Sequence, residues 1–167
     1  KENMKTIQIA LIALATAGAA MNANAQYIPN GGMPGIAVAG SVDSSMLPDG
    51  IRTFLEKNYP GVGIVKSERE FESGRYEIDL ANGVDMDFSS TGKIDEISAP
   101  DNTALPEAIV RNILPRATVD HLRKNGYLGS VNEIDIRDKG GYKVQLVKQQ
   151  PDELIYDVDG IFISFDD

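Results

Sequence analysis

The sequence predicts an α+β fold of two tandem units, each a helix followed by a four-stranded antiparallel meander, with the helices on one face of the sheet. Internal repetition is the first observation behind this. Leu47-Pro48-Asp49-Gly50-Ile51-Arg52-Thr53-Phe54-Leu55-Glu56-Lys57-Asn58 returns as Leu114-Pro115-Arg116-Ala117-Thr118-Val119-Asp120-His121-Leu122-Arg123-Lys124-Asn125, an offset of 67. Tyr76 to Leu80 returns as Tyr142 to Leu146, an offset of 66, and Phe88 to Gly92 as Tyr156 to Gly160, an offset of 68. A drift of one residue either way marks a duplication with small insertions in the turns. The second observation is strict apolar/charged alternation between Gly- and Asn-containing turns, the mark of half-buried strands.

The elements follow in chain order. Residues 4–25 read as a secretory signal: Lys5, an apolar run from Ile7 to Ala20, then Ala23-Asn24-Ala25 as a small-residue cleavage site before Gln26. The run is shorter than the roughly 20 residues of a spanning helix, and no cysteine follows it to carry lipid. Residues 1–25 are therefore expected to be removed, giving a periplasmic or secreted protein that is neither a lipoprotein nor bound to a membrane. Loss of Lys1, Glu2 and Lys5 takes the net charge from −9 to −10. Residues 26–45 carry Pro29-Asn30-Gly31-Gly32, Met33-Pro34-Gly35 and Gly40-Ser41 without periodicity, and read as a flexible leader.

The first unit is expected over 46–99. Pro48 suits an opening turn, Ile51, Phe54, Leu55 and Tyr59 share a helical face, and Asn58-Tyr59-Pro60-Gly61 stops the helix. Strands are expected over 63–71, 76–80, 84–88 and 93–97. Ala81-Asn82-Gly83 makes a three-residue hairpin loop with Gly83 left-handed. That loop pairs Leu80 with Val84, Ile78 with Met86 and Tyr76 with Phe88; a two-residue turn would mix the faces. The second unit, over 100–167, adds a helical stretch from Leu105 to Ile113 that Pro115 separates from the repeated helix. Its strands are expected over 131–137, 142–147, 154–158 and 161–165.

At this point the chain resembles a known family. The Leu-Pro helix ending in Leu55-Glu56-Lys57-Asn58-Tyr59-Pro60-Gly61, the Tyr-x-Ile-x-Leu strand, the Asn-Gly hairpin and Phe88-Ser89-Ser90-Thr91-Gly92-Lys93 are similar to PepSY-like, β-lactamase-inhibitor-like proteins exported by bacteria. The second unit departs from the pattern at Gly126-Tyr127 and at Gln149-Gln150-Pro151-Asp152, which lengthens a hairpin loop. The resemblance implies one curved antiparallel sheet with helices behind it. In β-lactamase inhibitory proteins that sheet face grips a target enzyme, so the implied function is binding, with inhibition of a peptidase or hydrolase as its specific form.

Composition excludes much else. Twenty-five acidic against 16 basic residues argues against nucleic acid and anionic membranes. With no cysteine, disulfides, thiolate metal sites and a cysteine nucleophile are out. His121, the one histidine, holds the repeat position of Phe54 and reads as a partly buried structural residue. No phosphate loop, nucleophile elbow or paired-histidine motif appears, and Ser44, Ser45, Ser89 and Ser90 occupy cap and turn contexts. Carboxylates alone can run acid/base chemistry, yet acids are common on any wet sheet face, so no catalytic residue and no cofactor is assigned.

The wet face is the candidate site. The chosen hairpin register sets Asp79 opposite Asp85 and Glu77 opposite Asp87. If the preceding hairpin pairs Phe71 with Tyr76, Glu70 joins Glu77 and Glu68 joins Asp79. Six carboxylates then share one face, against the cost of like charges directly opposite each other. They read as a protein-binding surface for a partner with a basic surface, or as a tolerated acidic surface that aids solubility. Lys143 and Gln145 at the matching positions of the second unit make the patch lopsided. The alternative function is a calcium-responsive periplasmic structural or sensor protein. Calcium wants about six to eight oxygens, and Asp157-Val158-Asp159-Gly160 has only part of a calcium loop, so no metal site is assigned.

Overall fold

The computed structural model describes residues 43–166. The expected signal (1–25) and residues 26–42 of the expected leader lie outside the described residues. The last residues of that leader are already ordered: Ser44–Met46 form a 3₁₀ turn, capped by the Asp43 carboxylate accepting from the Ser45 amide at 2.8 Å.

Among the described residues, three helices, α1 (Asp49–Asn58), α2 (Glu107–Ile113) and α3 (Arg116–Lys124), each follow a proline. The prolines have no N–H to leave unpaired, and their carbonyls open the helical ladder: Pro48 accepts from Arg52 at 3.2 Å, Pro106 from Val110 at 3.2 Å and Pro115 from Val119 at 3.1 Å.

Eight strands form one sheet in strict chain order, every neighbouring pair antiparallel: β1 (Ile64–Arg69), β2 (Tyr76–Leu80), β3 (Asp85–Phe88), β4 (Ile94–Ser98), β5 (Val131–Ile136), β6 (Tyr142–Leu146), β7 (Glu153–Tyr156) and β8 (Phe162–Asp166). The duplication is written in the register. β1/β2 shifts between Ile64 and Lys66 as β5/β6 does between Val131 and Glu133, and β3/β4 shifts at Asp87/Phe88 as β7/β8 does at Ile155/Tyr156. Bulges of this kind bend and twist a strand pair, so both units deform at equivalent places. The β4–β5 pairing, Ile97 opposite Ile134, fuses the two units.

The β2–β3 hairpin has the expected register, Tyr76 opposite Phe88 and Ile78 opposite Met86. Leu80 N–H donates to the Val84 carbonyl at 2.9 Å, and Gly83 sits at φ +80°, a conformation costly for any residue with a Cβ. The β1–β2 hairpin corrects the expectation. Arg69, not Phe71, stands opposite Tyr76, a shift of two residues. β1 ends at Arg69, and the Glu70–Arg75 loop closes with Gly74 N–H donating to the Glu70 carbonyl at 3.0 Å and Arg69 lying 5.7 Å from the Tyr76 ring centre. Phe71 is fully exposed in that loop.

The core lies between the helices and one sheet face. Ile51, Ile78, Phe88, Val110, Leu122, Ile134 and Leu154 are all 0% exposed, each contributing about 1.5–3 kcal/mol of burial free energy. The helix starts dock on the β3–β4 and β7–β8 turns in matching fashion, Pro48 and Gly50 against Gly92, Pro115 and Thr118 against Gly160.

Candidate functional site

Strand alternation puts most charged positions of β1 to β7 on the face away from the helices, Arg69 opposite Tyr76 being an exception. The register aligns them in two transverse rows. The first runs Glu68, Glu77, Asp87, Glu96, Asp135, Lys143, Ile155; the second Lys66, Asp79, Asp85, Ser98, Glu133, Gln145, Glu153. Five consecutive strands thus carry an acid in the first row.

Of the six expected carboxylates, Asp79 faces Asp85, Glu77 faces Asp87, and Glu68 joins them opposite Glu77 rather than opposite Asp79. Glu70 stands at the edge of the patch rather than opposite Glu77: it is exposed in the β1–β2 loop, opposite Arg75 and bonded to Ser73, and its charge still helps to raise Asp87. The two-residue shift brings Lys66 opposite Asp79 instead, with its Nζ 2.8 Å from Glu77 Oε1 and 3.6 Å from Glu68 Oε2.

Sequence reasoning missed Glu96, Glu133 and Asp135. Glu133 and Asp135 alternate with Ile134 and Ile136, so their sidedness was readable. Glu96 shares its parity with Ile94, and only the register shift in β3/β4 turns it to the wet face opposite Asp87, while the β4–β5 pairing sets it opposite Asp135. The patch therefore continues across the seam between the units. Arg75 pairs with Asp95 beside it (Nη2–Oδ2 2.9 Å), at a polar depression of about 320 Å³ also lined by Asp87, Glu96, Asp135 and Asp138. Lys143 pairs with Glu153 at 3.2 Å.

Crowding raises the carboxyl pKa values. Burial pushes Asp79 and Asp87 up, with Asp85 adding to the first and Glu77 to the second. Burial raises Glu96 and Glu133 too; Glu133, Asp87 and Asp135 add to Glu96, while Lys143 draws Glu133 partly back. These groups are half-buried, and their charged forms are unfavourable next to one another.

Elsewhere, His121 is the structural residue the repeat implies. Its Nδ1 shares a 2.9 Å hydrogen bond with the Tyr156 hydroxyl and its ring stacks on Phe162 at 4.7 Å. Asp157, first residue of the partial calcium loop, spends its Oδ1 on the amides of Asp159 (3.0 Å) and Ile161 (2.8 Å), closing a turn. Among the described residues, no three His, Cys, Asp or Glu side chains are arranged to hold a metal ion.

A family model with the description "Putative beta-lactamase-inhibitor-like, PepSY-like" matches residues 37–96 and again 102–164. Among solved structures, a proposed periplasmic protein of unknown function from Bacteroides vulgatus is 26% identical, with a TM-score of 0.60 over 75% of this chain and 95% of that one. A proposed calcium-regulated periplasmic protein from Bacteroides thetaiotaomicron is 25% identical, with a TM-score of 0.62 over 77% of this chain and 96% of that one. Another proposed periplasmic protein from Bacteroides vulgatus shares the fold at 24% identity, TM-score 0.61, over 76% and 95%. No curated protein sequence matches the chain.

Proposed function

The chain belongs to the PepSY-like, beta-lactamase-inhibitor-like family, and from that membership we propose that it is an exported, non-catalytic protein-binding module whose acidic sheet face docks a protein with a basic surface. The observation that carries this reading is the first row, where Glu77, Asp87, Glu96 and Asp135 stand on four successive strands. The sheet bears the repulsion of these carboxylates. A cationic partner relieves it and is steered to the surface by it, with association rates that fall steeply as salt rises.

Inhibition of a peptidase or hydrolase is the specific form this binding takes. Export rests on the Lys5–Ala25 signal pattern and on similarity to proteins described as periplasmic. No helix among the described residues is long and apolar enough to cross a membrane.

The test is affinity capture from the native cell envelope. A chain with Glu77, Asp79, Asp85 and Asp87 changed to Lys, shown folded by circular dichroism, must lose the partner that the unaltered chain recovers. Equal recovery rejects this face. Calcium is the second reading, favoured by similarity to a protein described as calcium-regulated. Binding to the native state alone raises the melting temperature; an unchanged melt at millimolar calcium against chelator sinks that reading.

A further inference from the structure

Beside β1, at one end of the sheet, α1 borders an apolar cleft of about 290 Å³, lined by Leu47, Leu55, Tyr59, Val62 and Ile64, with Ser44 at its rim. The second unit fills the same place. There Leu114, Leu122 and Val131 are the repeat counterparts of Leu47, Leu55 and Ile64, and the chain ahead of α3 runs across them. Leu105 N–H donates to the Val131 carbonyl at 2.7 Å, and α2 packs on α3 with Ile109 and Val110 buried.

At the offset of 67, residues 103–109 correspond to 36–42, Ile36-Ala37-Val38-Ala39-Gly40-Ser41-Val42, which precede the described residues. We propose that this segment is the occupant of the cleft, with Val38 in the role of Leu105 and Val42 in that of Ile109. The reach is short, because the described chain starts at Asp43, next to Ser44 on the rim. The family model also takes in this stretch: its first match starts at 37 and its second at 102, each ahead of its unit's repeated helix. The Tyr59 hydroxyl is buried there without a hydrogen-bond partner among the described residues, and a backbone carbonyl of the incoming segment supplies one. Docking also covers the outer edge of β1, which otherwise offers unpaired backbone groups to other chains.

Hydrogen exchange followed by mass spectrometry, on the full chain and its Val38→Asp variant, tests this. Docking predicts that amides over 38–42 exchange about tenfold or more slowly than those over 27–33 at every protein concentration. Val38→Asp must abolish that protection and speed exchange over 62–65, with the sheet's protection intact. Equal exchange throughout 27–42, or protection that survives Val38→Asp, overturns the proposal. Protection that appears only with a concentration-dependent dimer in sedimentation gives the cleft to a second copy and overturns it too.

Discussion

His121 Nδ1 and the Tyr156 hydroxyl oxygen are 2.9 Å apart, their rings meeting edge to face at 5.6 Å. In the first unit the same two positions are Phe54 and Phe88, edge to face at 5.5 Å. One ring-on-ring contact between helix and sheet has been kept, with a hydrogen bond added to it. Tyr156 is 1% exposed, so its hydroxyl depends on that bond. His121→Phe should therefore cost about 1–3 kcal/mol by leaving the hydroxyl unpaired, and adding Tyr156→Phe should recover part of the loss. Urea midpoints of the two single variants and the double one measure it. A double variant no more stable than His121→Phe would show that packing, not the bond, sets the cost.

The acidic face sets a pH dependence. Asp79, Asp87, Glu96 and Glu133 are raised above their ordinary 3.8 and 4.5, chiefly by burial. The native state then binds protons more tightly than the unfolded chain, so stability falls as pH rises between those ordinary values and the raised native ones. Near neutral pH, Glu96→Gln should raise stability by a few tenths to about 1 kcal/mol, less in high salt. His121 acts in the opposite sense: burial and Lys124 hold it below 6.5, so its contribution is intact above that value and is lost as pH drops below it. Unfolding midpoints at pH 4 to 7 for these two variants separate the contributions.

Gly160 and Gly126 offer a controlled comparison, since both are left-handed, at φ +78° and +77°. A Cβ on Gly160 would lie 2.5 Å from Thr118 Oγ1 and 2.7 Å from Pro115 Cβ, whereas one on Gly126 would meet nothing within 4 Å. Gly126→Ala should cost roughly 1–2 kcal/mol for conformation alone. Gly160→Ala should cost about 1–3 kcal/mol more, because it pushes the α3 start off its turn and strains the bond from Thr118 Oγ1 to the Gly160 carbonyl. Equal melting temperatures for the two variants would contradict this docking.

Ile97 and Ile134 face each other across the β4–β5 seam, both fully buried. Each changed to Ala should cost about 2–5 kcal/mol. The two units share one core, so thermal unfolding of either variant should stay a single transition when followed by calorimetry. Two separated transitions would mean that the units fold independently.

Local signals made most of the fold legible. Strand positions came from period-two alternation, the first helix start from Pro48 and the division of the later helices from Pro115, and the β2–β3 register from a three-residue loop that admits one pairing without mixing faces. The β1–β2 register was not legible, because moving a strand by two residues leaves every side chain on its original face. Hydrophobic pattern is then silent, and the choice fell to the Glu70–Arg75 loop and to Arg69 on Tyr76. Glu70 moved to the edge of the site for that reason, and Lys66 was gained.

By itself the sequence determined that there are two copies of one unit, which residues line the core, and that the opposite face is acidic, since each of these depends on periodicity within a short segment. Tertiary structure alone decided that Glu96 meets Asp135. That meeting spans a 32-residue connection with two helices between β4 and β5, and strand pairing over such a distance is set by how the whole sheet closes over its core rather than by any local preference.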